Sequence, residues 1–239
     1  MIRTVRVTHL YPRDMNIYGD RGNVLALVRR LEWHGYAAEV VEVHRGDRIP
    51  VDADLIVGGG GQDSGQVRVE RDLLRVGPDL RALAEDGAPM LMVCGLYQLF
   101  GHDFVTGGGQ VLHGIGLLDM ETVAGSERMI GSVVARSDDF GDIIGYENHS
   151  GRTTLGDRAQ PLGRVARGRG NNGEDGTEGA RYRNVIGTYL HGSLLPKNPA
   201  IADHLIRVAL ERRFGQVDLD PLDERISRQA RLVALSRPR

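Results

Sequence analysis

The strongest candidate for chemistry in this chain is its single cysteine. Cys94 closes the apolar run Met90-Leu91-Met92-Val93 and is followed by Gly95. A strand that meets a helix at a sharp turn forms a nucleophile elbow. The turn holds the side chain out at the carboxyl edge of a sheet, where open α/β folds bind ligands. The start of the following helix supplies partial positive charge that favours a thiolate. The backbone N–H of Gly95 can face a developing oxyanion. A lone cysteine at a strand end is also common in protein cores, so the elbow by itself leaves a structural cysteine open.

The run Gly58-Gly59-Gly60-Gly61-Gln62-Asp63 follows another short apolar strand, so its loop should lie beside the elbow. Glycines let backbone amides approach a ligand closely, and an amide near Gly60 is the candidate for a second oxyanion donor. A phosphate-binding loop is the rival reading, weakened by the absence of a following Gly-Lys-Ser/Thr. Of eight histidines, His191 is the best base. It ends the apolar segment Val185-Ile186-Gly187-Thr188-Tyr189-Leu190, and side chains at separate strand ends converge whatever their distance in sequence. His9 and His149 are runners-up. The planar fork of arginine binds a substrate carboxylate through two hydrogen bonds. Arg128, early in a strand beyond the elbow, is the candidate, with a surface arginine as the alternative.

These side chains need a scaffold of strands alternating with helices. Arg3 to Leu10 alternates and reads as a strand. A loop rich in Tyr, Pro, Asp, Asn and Gly reaches Gly22. Val24, Leu27, Val28 and Leu31 then recur at helical spacing, with Gly35 as the stop. Strands over Ala37 to Val43 and Asp54 to Val57 follow. Arg68 to Glu85 reads as a helix broken at Pro78, and Pro89 to Val93 delivers Cys94. This alternation predicts a flavodoxin-like α/β domain, a mostly parallel sheet with helices on both faces. Short strands at 114–123, 127–135 and 142–147 predict a small antiparallel extension. Residues 169–179 are rich in Gly, Asn, Glu and Asp and read as a surface loop with almost nothing to bury. Helices are expected over Pro199 to Phe214 and Asp223 to Leu235. With no repeat or dividing linker, 1–239 reads as one domain, with its core at about 4–214 and a C-terminal helix and tail at 215–239.

Composition removes several function classes. Thirty basic and 32 acidic residues give a net charge of −2, so nucleic acid, which needs a clustered basic surface, is not expected as the main partner. Arg225, Arg228, Arg231, Arg237 and Arg239 read as a solvated helix face and a frayed end. One cysteine excludes an internal disulfide and a cysteine-cluster zinc site, and no metal site is expected. Neither a signal-peptide core nor an 18-residue apolar run occurs. The expected location is cytoplasmic, without a membrane span.

Gly58 to Asp63, Val93-Cys94-Gly95-Leu96-Tyr97-Gln98 and Tyr189-Leu190-His191-Gly192 together resemble class I glutamine amidotransferases of the cobyric-acid-synthase (CobB/CobQ) type. More narrowly, Asn16 to Asn23, Glu147 to Thr153 and Gly170 to Asp175 resemble the glutaminase subunits of lipid II isoglutaminyl synthases (the GatD type). The likeness runs from about Val5 to Lys197. It implies that the Cys94 thiolate attacks the side-chain amide of glutamine, that His191 protonates the leaving ammonia and later activates water, and that Gln98 lines the glutamine pocket. It further implies a heterodimer with a Mur-ligase-like (MurT-type) synthetase, whose ATP and Mg amidate the D-glutamate of lipid II. This chain would itself need no cofactor. Glutaminase service to another acceptor, such as a corrinoid carboxylate, and a free-standing cysteine hydrolase are the alternatives. Many class I relatives carry a glutamate two residues after the histidine, where this chain has Ser193. Asp20 and Glu147, in family-like blocks, are the acids to inspect as histidine orienters, and the favoured expectation is a dyad with only a weak or backbone orienter. Leu96 stands where many relatives have glycine and is expected to narrow the pocket. The loop 169–179 and segment 147–153 are expected at the active-site mouth, helping to seat the synthetase.

Overall fold

A computed structural model describes residues 2–236; Arg237 and Arg239 of the basic C-terminal group lie outside them. The chain runs β1 (Thr4–Leu10), α1 (Arg21–Trp33), β2 (Ala37–Val43), β3 (Leu55–Gly58), α2 (Asp63–Glu85), β4 (Met90–Val93), α3 (Gly95–Phe100), β5 (Asp103–Val105), β6 (Val111–His113), β7 (Met120–Ser137), β8 (Gly141–Leu155), β9 (Gly163–Arg167), β10 (Thr177–Glu178), β11 (Ala180–Tyr182), β12 (Val185–Thr188), α4 (Leu194–Lys197), α5 (Pro199–Phe214) and α6 (Arg225–Ser236).

The first sheet has the order β11-β12-β4-β3-β1-β2, parallel except for the edge pair β11–β12. Its inner strands β3, β4 and β12 are buried at every position, as their unbroken apolar runs require when helices cover both faces. Helices α4 and α5 pack with α1, while α3 packs with α2. Strand order reverses at β1/β3, and the carboxyl ends around that reversal are where this architecture places ligands.

Three expectations about elements need correction. Helix α2 begins at Asp63 and passes unbroken through Pro78. The carbonyl freed by that proline is that of Leu74, four residues earlier, on a residue 41% exposed, where water can satisfy it. The antiparallel extension is not small. It is a second sheet of six strands in the order β10-β9-β7-β5-β6, with β8 pairing β7, and the supposed short strands are the two arms of a long β7–β8 hairpin. The basic face of α6 is also not wholly solvated: the Arg231 guanidinium donates to the carbonyls of Asp142 and Lys197 and to the side chain of Asn198. Among the described residues no helix is long and apolar enough to cross a membrane.

Candidate active site

Four loops at the carboxyl ends of β1, β3, β4 and β12 build one site. Cys94 stands between β4 and α3 with φ 50° and ψ −101°, a strained conformation for a residue with a Cβ. Its amide donates to the Thr188 carbonyl at 2.8 Å and its carbonyl accepts from the Gln98 amide at 2.9 Å, so the elbow is pinned to β12 on one side and starts α3 on the other. His191 follows β12 and is fully buried. Its backbone exchanges hydrogen bonds with Tyr146 of β8.

Gly60 shows how closely these groups meet. A Cβ at that position would lie 2.7 Å from His191 Cε1 and 3.1 Å from Cys94 Cβ. Only glycine lets the loop pass between nucleophile and imidazole. The expectation that the Gly60 amide faces the oxyanion fails, because that N–H donates to Asp20 Oδ2 at 2.7 Å. The neighbouring Gly61 lines the pocket together with Cys94, which leaves its amide as the remaining candidate near Gly60.

Asp20 overturns the expectation of a dyad without a strong orienter. Its Oδ1 lies 3.2 Å from His191 Nδ1, both residues are buried, and so Nδ1–H donates to a carboxylate. Asp20 precedes α1 yet does not cap it; Asn16 Oδ1 takes the Arg21 amide instead, leaving both Asp20 oxygens for the site. Burial opposes a charge on His191, but the sulfur of Cys94 and the hydrogen bond and charge of Asp20 outweigh it, and the imidazole pKa is pushed up to about 10. Ser193 replaces no carboxylate. Its hydroxyl donates to the Gly19 carbonyl and helps hold the loop that bears Asp20. Tyr18, in left-handed backbone (φ 57°), lays its ring edge-on against His191 with centroids 5.0 Å apart.

Glu147, the other acid, does not reach His191. It accepts from the amides of Arg169 and Gly170 and lies 3.8 Å from His149 Nε2. Burial lowers the His149 pKa, and the ring stacks flat on Tyr189. His149 lines the pocket; His9 does not.

The pocket beside Cys94 has a volume of about 450 Å³, and its wall includes Gln62, Asp63, Gln98, Arg128, Asn148 and Ser150. Arg128 arrives there through a break in the β7–β8 register between Ala124 and Met129, the kind of bulge that re-aims a side chain. Its Nε and one terminal nitrogen donate to Asn148, and Asn148 donates to the Tyr18 hydroxyl. Gln98 is committed at both ends, accepting from Gln66 and donating to the Tyr189 hydroxyl. Leu96 does not narrow the pocket; it is fully buried and packs against Gly58.

The polar loop 169–179 is the largest departure from the sequence reading. Asn171 and Glu178 are completely buried. Asn171 donates to Thr177 and the Gly179 carbonyl and accepts from the Gly179 amide and the Tyr97 hydroxyl. Asn172 holds a turn by accepting from the amides of Glu174 and Asp175. None of residues 169–179 lines the pocket, while residues 148–150 do.

Comparison with known proteins agrees with this geometry. The CobB/CobQ-like glutamine amidotransferase domain matches residues 6–199. The subunit GatD of the glutamine-hydrolysing lipid II isoglutaminyl synthase from Staphylococcus aureus (strain N315) is 38% identical over 234 residues, covering 97% of this chain and 95% of that one. The GatD subunit from Streptococcus pneumoniae (strain ATCC BAA-255 / R6) is 36% identical over 216 residues, covering 89% and 83%. Among solved structures, PurLQS from Thermotoga maritima superposes with a TM-score of 0.57 over 86% of this chain and 98% of that one, at 16% identity, which is a likeness of fold.

Proposed function

Because this chain belongs to the CobB/CobQ-like glutamine amidotransferase family, we propose that it is the glutamine-hydrolysing subunit of a lipid II isoglutaminyl synthase, with Cys94 as nucleophile, His191 as acid and base, and Asp20 as the group that orients His191. The observation that carries the chemistry is the convergence of Cys94, His191 and Asp20 on Gly60, where no side chain would fit. The name borne by relatives that match nearly the whole chain supports the acceptor.

In this reading glutamine enters with its α-carboxylate on Arg128 and its side-chain amide over Cys94. The thiolate attacks the amide carbon, and the amides of Gly61 and Gly95 face the oxyanion. His191, protonated near neutral pH because of its raised pKa, gives its proton to the departing ammonia. It then takes one from the water that frees glutamate. Ammonia protonates and escapes in bulk water, so a Mur-ligase-like, ATP-using partner covers the mouth and amidates the D-glutamate of lipid II.

The test is co-expression with such a partner. Size exclusion should show a complex, and glutamine should support conversion of lipid II to its D-isoglutamine form. Cys94→Ala should abolish glutamate release and glutamine-dependent amidation, while ammonium salts restore amidation. Failure to form any complex would refute the two-subunit reading, and near-normal glutamate release by Cys94→Ala would refute the chemistry.

A further inference from the structure

Glu178 is a buried acid that the steps above leave without a role. It ends β10 in the second sheet, and one residue later the chain enters β11 of the first sheet. That residue is Gly179, at φ 64°, where a Cβ would meet the Gly187 carbonyl at 2.5 Å. The crossing brings Glu178 Oε1 to the end of β12, where it accepts from Thr188 Oγ1 at 2.6 Å and from the Tyr189 amide at 3.1 Å. Thr188 Oγ1 in turn accepts from the Leu190 amide. The same residue's carbonyl holds the Cys94 amide, and His191 follows Leu190 directly. The bridge from Thr188 to Leu190 therefore joins the two reactive side chains, and one carboxylate oxygen ties it down.

We propose that Glu178 is a positioning residue for the reaction, holding the Thr188–Leu190 bridge so that Cys94 and His191 stay in register. This inference rests on the proposed roles of those two residues. The placement is costly. Glu178 Oε2 is buried without a partner, and burial pushes the carboxyl up to about 7 against the hydrogen bonds from Thr188 and Tyr189. Burying a carboxyl with one oxygen unpaired opposes stability, and such violations cluster where function requires them. Asn171, clamped on both sides of Gly179, holds Glu178 at that place.

The experiment compares Glu178→Ala, Glu178→Gln and Thr188→Val, all measured with the partner present. Glu178→Ala should lower kcat for glutamate release by roughly tenfold to a hundredfold, the range for an ångström-scale misplacement, with KM for glutamine within about threefold. Thr188→Val keeps the shape of the strand and should show the same split. The double variant should lose little more than the worse single one, since both cut the same connection. Glu178→Gln retains the acceptor oxygen and should restore kcat to within about threefold of the wild type. Cys94 is the only cysteine of this chain, so iodoacetamide consumption by the purified chain without its partner reads Cys94 reactivity alone, and that rate should fall with kcat in Glu178→Ala and Thr188→Val. A soluble Glu178→Ala chain with unchanged kcat and alkylation rate would overturn the proposal; if that variant fails to fold, unchanged values in Thr188→Val would do so. Absence of glutamate release by the wild type would sink the proposed function instead, and the alkylation rates would still judge Glu178.

Discussion

Replacing Asp20 by asparagine removes one negative charge and almost no volume. One oxygen of Asp20 faces His191 Nδ1 and the other holds the Gly60 amide. Asparagine has a single oxygen and can serve only one of them. If that oxygen stays on Gly60, the amide NH2 faces Nδ1, where the imidazolium has no acceptor, so the protonated His191 that gives its proton to the departing ammonia is disfavoured. A hydrogen bond to a charged group contributes about 1.5–3 kcal/mol, which at 1.36 kcal/mol per factor of ten lowers kcat by roughly tenfold to 150-fold. The charge also matters for pH. The His191 pKa in the folded chain, about 10, lies above the ordinary histidine value of about 6.5. Stability from the His191 proton is therefore complete below about pH 6.5 and is lost as pH rises toward about 10. Asp20→Asn lowers the upper limit, so the alkaline limb of kcat moves to lower pH. The assay is glutamate release at saturating glutamine across the pH range, with thermal unfolding to show that the variant is folded. A kcat within twofold of the wild type, together with an unmoved alkaline limb, would refute the role of Asp20.

Further perturbations test other parts of the site. Cys94→Ala keeps the left-handed backbone of the elbow while Cys94→Gly relaxes it, so the glycine variant should be the more stable of the two by about 1 kcal/mol in urea unfolding; equal midpoints would show that the elbow stores no strain. Arg128→Ala should raise the glutamine KM with a smaller effect on kcat, and an unchanged KM would remove Arg128 from substrate binding. Asn171→Ala leaves the Gly179 amide and the Tyr97 hydroxyl without their buried acceptor and should cost about 1–3 kcal/mol of stability, read by the same denaturant titration. Shortening the segment from Asn171 to Glu178 should for the same reason destabilise the whole chain rather than only uncouple it from a partner. A shortened chain with unaltered unfolding would show that the loop carries no structural load.

The sequence by itself determined the five parallel strands of the first sheet and both ends of the reactive pair, but not the antiparallel edge strand β11. β3, β4 and β12 are short and buried on both faces, so they appear as unbroken apolar runs, and the turns after β4 and β12 are local events that put Cys94 and His191 at carboxyl edges. Helices α1 and α5 were legible because one face of each is apolar at helical spacing. The second sheet was not, because β7 carries exposed and half-buried residues in broken alternation, β8 from Gly145 on buries glycines and polar residues such as Glu147, His149 and Thr153 rather than apolar ones, and a register shift hides the hairpin's continuity. Only the tertiary structure decided which acid serves His191. Asp20 and His191 stand 171 residues apart, and nothing in the composition of either loop states that the ends of β1 and β12 meet across β4 and β3. The polar loop 169–179 was misread for a related reason: a side-chain amide is as content in a buried network as in water when its hydrogen bonds are met, and whether partners such as Tyr97, Thr188 and Glu147 are within reach is a property of the packed chain. Local pattern fixes where a side chain leaves the backbone, and non-local packing fixes what it meets.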